Sequence, residues 1–115
     1  MKLLTQAIKK QLAKYPLRSQ DGKKDDALCI CKFFLCQGAW TWYVLEANLE
    51  TNELFGVVIN GDGEGEYGYF SLDELEHLKS QIGLGVERDL HFTSKPLNEI
   101  HDDYLRKFLK KFEYE

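Results

Sequence analysis

The densest set of chemically capable residues is Glu87, Arg88, Asp89 and His91. Asp89 and His91 stand two apart. On a strand that spacing puts both on one face, where a carboxylate can orient an imidazole for acid–base work. Arg88 falls on the opposite, apolar face with Val86, Leu90 and Phe92, where a guanidinium needs a carboxylate partner or a ligand anion. Arg88, Asp89 and His91 are thus the candidates for a hydrolase-like centre. No nucleophile motif, Walker loop or Rossmann fingerprint accompanies them. A structural ion pair on an exposed strand accounts for the same residues.

Two further patterns bear on metals. Cys29 and Cys31 form CxC, with Cys36 five residues on, while His77, His91 and His101 are scattered. Zinc sites bring paired CxxC knuckles or histidines at set spacing, so these read as buried strand cysteines. Residues 60–66, NGDGEGE, place oxygen ligands at alternate positions, as a calcium loop does. Ser71, however, stands where the twelfth-position glutamate belongs, and a hairpin turn is the better account. No metal and no cofactor is assigned.

Binding residues divide into two sets. In residues 38–48, GAWTWYVLEAN, Trp40, Trp42 and Val44 share one strand face, and Tyr43 with Leu45 takes the other. An open Trp face would stack bases at roughly 1–3 kcal/mol each. Helices flank the strands at both ends, so the Trp face is expected to be core. The opposite face then presents Tyr43 and acidic neighbours. Tyr43, Tyr67, Tyr69, Glu46, Glu66 and Arg88 are the candidate contacts for a protein partner. Trp40 and Trp42, with the basic cluster Arg106, Lys107, Lys110 and Lys111, form the nucleic-acid alternative.

The elements that must position these residues are legible. Leu4, Ile8, Leu12 and Tyr15 recur at helical spacing, which predicts a helix over 6–14, capped by Thr5 and stopped by Pro16. Residues 18–26 read as a polar loop. Strands are expected over 27–35, 39–47, 53–59 and 65–70, joined by a short turn at 36–38, by LETN, and by the Asn-Gly and Asp-Gly signals at 60–63. These linkers are too short for parallel crossovers, so the result is an antiparallel meander. Ser71 and Glu74 form a capping box, with Phe70 and Leu75 as the staple, for a helix over 71–79. Val86 to Phe92 alternates as a strand. Leu97, Ile100, Tyr104, Phe108 and Phe112 outline a last helix, with Asp102–Arg106 and Asp103–Lys107 as i,i+4 pairs.

The chain of 115 residues, 43% hydrophobic and 30% charged, is the size and composition of one globular domain, 1–115. Its net charge of −4 conceals a separation of charge. From Phe33 to Leu78 there are nine acids and no Lys or Arg, while both ends are basic. Such an asymmetry marks an electrostatic partner face or simply Lys-rich helix surfaces. Three cysteines without a secretory signal point to a reducing cytosol, and no run reaches membrane-spanning length.

MKLLT at the start, WTWYV at 40–44, LFGVV at 54–58, GYFSLDELE at 68–76, GLGVERDLHF at 83–92 and PLNEI at 96–100 appear in that order. Together they resemble a family of small bacterial proteins of unknown function carried on plasmids and other mobile elements. The resemblance covers the chain to about Ile100. It implies a bacterial cytosol and a mobile-element setting, but no catalytic residues. The expectation is therefore an α+β domain whose antiparallel sheet of about five strands is flanked by N-terminal, central and C-terminal helices. Its leading function is that of a non-enzymatic accessory protein binding a protein partner through an acidic sheet face. A nucleic-acid-binding module is the alternative and an enzyme the third reading.

Overall fold

The computed structural model of the protein describes residues 2–36, 38–78 and 83–111. Helix α1 (Gln6–Leu12) begins where the Thr5 hydroxyl accepts the Ile8 amide at 3.1 Å. Strands β1 (Leu28–Cys29), β2 (Cys31–Leu35), β3 (Thr41–Asn48), β4 (Glu53–Ile59) and β5 (Gly65–Ser71) follow. Helix α2 (Leu72–His77) is capped by the Ser71 hydroxyl, which accepts the Glu74 amide. Then come β6 (Val86–Arg88), β7 (Lys95–Pro96) and α3 (Asp103–Lys110). The fold is α+β. Five strands form an antiparallel sheet in the order β5-β4-β3-β2-β6, and β1 pairs separately with β7.

Both faces of this sheet are covered. On one, Trp42, Val44, Phe33 and Leu54 pack under Leu12 of α1 and Leu72 and Leu75 of α2. On the other, Tyr43, Leu45, Val57 and Ile59 pack under Leu97 and under Leu105, Phe108 and Leu109 of α3. Burying a side chain such as Phe33 contributes about 1.5–3 kcal/mol, so neither layer is dispensable.

A β-bulge in β3 sets the geometry of the second face. Val44 pairs with Gly56 but Glu46 pairs with Phe55, leaving Leu45 as the extra residue. The bulge shifts the alternation by one, so Glu46 joins Tyr43 and Leu45 on the α3 side. Gly56 is what permits it. A Cβ there would lie 1.8 Å from the Tyr43 carbonyl oxygen, so no other residue lets the bulged backbone approach so closely.

Several expectations are corrected. The strand over 27–35 breaks at Ile30, whose amide donates to Val44 O while β1 leaves to pair with β7. Ile30 and Cys31 enter the same core cluster, so period-2 alternation fails there. The strand from Val86 stops at Arg88, because the Asp89 carboxylate accepts the His91 amide and turns the chain. The last helix is interrupted. A 3-10 turn spans Leu97–Glu99, and Asp102 then caps α3 by accepting the Tyr104 and Leu105 amides. The Arg106 side chain consequently bonds Ile100 O and His101 rather than the Asp102 carboxylate. Lys79 and Phe112, assigned by the sequence to helices, and Gln37 of the first turn lie outside the described residues.

Candidate functional site

Strand β5 is one edge of the sheet, and among the described residues no strand lies beyond it. The bonds Leu72 N to Asn52 O and Asn60 N to Glu64 O fix its ladder. By antiparallel alternation, even-numbered residues bond β4, and the N–H and C=O of Tyr69 point outward. The sequence of this edge, GEYGYFS, has no lysine or proline, and its pairing with β4 has no bulge. Glu66 and Tyr69 are exposed, and Tyr69 is held upright against Phe55 at 4.9 Å between ring centroids. Asp62, Glu64 and Glu53 are exposed on the adjoining turn and strand.

Beside this edge, on the α3 side, opens a cleft of about 640 Å³. Its interior is walled by Leu45, Phe55, Tyr67 and Leu109, and its rim by Asp21, Gly22, Lys24 and Asp25 of the loop after α1. Glu46 lies in its lining and is only 1% exposed. One carboxylate oxygen accepts the Arg18 amide and the other the Gln20 amide, each at 2.7 Å. The buried Gln20 side chain donates to Leu28 O and Leu45 O and accepts the Leu28 amide. The polar loop is thereby fastened to β3 by two buried side chains. Arg18 (φ 75°) and Lys24 (φ 52°) hold left-handed backbone that non-glycine residues rarely adopt, a form of strain found at ligand-facing loops. Burial and the nearby Asp25 push the Tyr67 hydroxyl up from its ordinary pKa.

Of the expected contact residues, Tyr67, Tyr69 and Glu66 do lie together along β5. Tyr43 and Glu46 do not form an exposed face, as the sequence suggested. Tyr43 is 0% exposed and donates to Asp102 Oδ2, and burial followed by that carboxylate raises its pKa strongly. The acidic surface is an edge and not a face, because α3 covers what a single-layer reading left open. Among the described residues Arg88 forms no ion pair with a carboxylate, and it donates to Leu3 O at 2.6 Å.

The enzyme candidates do not converge. Arg88 pairs across from Phe33 on the α1 side, while Asp89 reaches Lys32 Nζ at 3.8 Å on the other side. Asp89 contacts His91 only through the latter's backbone amide. Trp40 is 40% exposed and stacks on the buried Trp42 at 5.9 Å, on the α1 side. Arg106, Lys107 and Lys110 project from α3 and Lys111 follows it, on the opposite side of the sheet. Cys29 and Cys31 are buried in different clusters. Burial pushes the Cys31 thiol up to about 12 and the Cys29 thiol well up.

Sequence reasoning missed Gln20, Asp25 and Phe55 as cleft residues. Its one available signal was Glu46 itself, a carboxylate inside the otherwise buried run of β3. Comparison with curated proteins and with solved structures finds no match. The family model described as "Protein of unknown function (DUF2958)" does match, over residues 3–103. The chain, matched along most of its length, belongs to that family.

Proposed function

We propose that the protein is a non-enzymatic interaction protein of a bacterial mobile element, working in the cytosol. It receives an extended, basic segment of a protein partner as an added strand along β5. The observation that carries this reading is the edge strand itself, on which the Tyr69 N–H and C=O point away from β4 and acids stand on the adjoining turn and strand. Main-chain bonding to an open edge supplies affinity, and complementary charge selects the partner and speeds encounter. The same acids repel a second copy of this edge, so a basic partner is favoured over self-pairing. The nucleic-acid reading draws less support, because its Trp pair and its basic cluster lie on opposite sides of the sheet and Trp40 abuts the acidic turn at Gly61.

The test is an NMR titration at low salt with a peptide of alternating lysine and valine, the length of β5. Amide shifts confined to residues 65–71, slowed exchange at the Tyr69 amide and weakening with salt support the reading. Tyr69→Pro removes an outward donor without touching the β4 ladder, and should lower affinity by about tenfold in a folded protein. Shifts elsewhere, or indifference to Tyr69→Pro, would refute it.

A further inference from the structure

We infer that the cleft above Glu46 is a binding site for a guanidinium group. This goes beyond the edge-strand reading and does not depend on it.

The starting point is a buried charge with incomplete partners. Glu46 is almost wholly buried, yet among the described residues its hydrogen-bond donors are two neutral backbone amides. Both oxygens act as acceptors, which is the behaviour of a carboxylate, and each retains a second lone-pair direction. Neither ion pair found among the described residues involves Glu46. A buried carboxylate is costly unless a cation or several donors compensate it. Fastening a loop would need no net charge, since the nearby Gln20 does the same work with a neutral amide.

The surroundings select the compensating group. Glu46, Asp21 and Asp25 line the cleft against a single base, Lys24, so it favours cations. Lys24 is exposed at the rim, and the Asp21 carboxylate is already engaged by Arg18 at 3.2 Å. The wall is aromatic: the Phe55 and Tyr67 rings form a stacked pair, 6° from parallel with centroids 6.1 Å apart. A planar, weakly hydrated guanidinium stacks on such a surface and presents paired N–H donors to a carboxylate, whereas an ammonium does neither as well. Leu45 and Leu109 offer apolar surface to an aliphatic stem. The volume suits a ligand of small-molecule size.

The guanidinium has two possible sources: an arginine side chain of a polypeptide, or a free guanidinium-bearing small molecule. The experiment titrates the whole protein with N-acetylarginine amide, with agmatine, and with the citrulline counterpart of the first as a neutral isostere. Binding is followed by amide shifts and calorimetry. The expected result is saturable binding, with shifts at Arg18, Gln20, Phe55 and Tyr67, and about tenfold or greater loss with the citrulline compound. Tighter binding of the arginine amide assigns the polypeptide source, and tighter binding of agmatine the free one.

Glu46→Gln should weaken binding about tenfold or more. That change also disturbs the loop, so Phe55→Leu and Tyr67→Leu are made with Glu46 intact and should each weaken it severalfold. Equal affinity for the citrulline compound, no saturation, or wall variants that bind normally would overturn the inference. Tyr69→Pro leaves this cleft's lining in place, so failure of the edge reading and failure of this one are separable.

Discussion

Gly56→Ala is the sharpest test of how β3 is built. The added methyl would sit 1.8 Å from Tyr43 O, 2.9 Å from the Tyr43 carbonyl carbon and 3.2 Å from Leu45 N. All three are backbone atoms of the bulge, so no side-chain rotation relieves the contact. The β3 and β4 backbones must separate by more than about 1 Å, since carbon and oxygen reach optimal contact only near 3.5 Å. Overpacking a dense core costs about 1–3 kcal/mol even where side chains adjust. Here the strain falls on the central ladder, so a loss of about 3 kcal/mol or more is expected. Urea denaturation followed through the buried Trp42 measures it. If the bulge yields, Glu46 loses its position, and hydrogen exchange at the Arg18 and Gln20 amides should quicken by more than the global change. A variant within about 0.5 kcal/mol of the parent, with both amides still protected, would show that the bulge does not depend on glycine.

Two other outcomes follow from buried groups. Tyr43→Phe removes the donor to Asp102 Oδ2, the carboxylate whose other oxygen caps α3. A loss of about 1.5–3 kcal/mol is expected, with faster exchange in the first turn of α3, and no change in either would remove this bond from the account. Cys31 has its folded thiol pKa raised to about 12 from an unfolded value of 9.0, burial being the cause. Its contribution is complete below pH 9.0 and declines as pH rises towards about 12, because the unfolded chain releases the proton first. Summed over that window the loss amounts to about 4 kcal/mol. Cys31→Ala should flatten the alkaline fall in denaturation midpoint, and an identical fall in both proteins would refute the assignment.

How far the sequence could be read depends on whether the controlling interaction is local. Thr5 and Ser71 cap their helices as expected because each side chain bonds an amide three residues on. The β3–β4–β5 meander follows from alternation and from Asn60, whose side chain accepts the Asp62 and Glu64 amides within its own turn. Asp102 misled the reading for the same reason in reverse. As a cap it ends one segment and starts another, while the periodicity of Leu97, Ile100, Tyr104 and Phe108 runs straight through it.

What the sequence by itself determined is the class of the fold, most element positions, the family, and the concentration of acid in the middle of the chain. Each is written in neighbours a few residues apart. Only the tertiary structure decided which surface that acid occupies. Tyr43 and Glu46 looked exposed because one sheet face already accounted for the tryptophans, but α3 and Leu97 close over the other. The bulge at Leu45, possible because Gly56 lies opposite, turned Glu46 inward. Arg18 and Gln20, 28 and 26 residues away in sequence, met it there. No local pattern encodes a contact at that separation, so the cleft became visible only once the chain had folded.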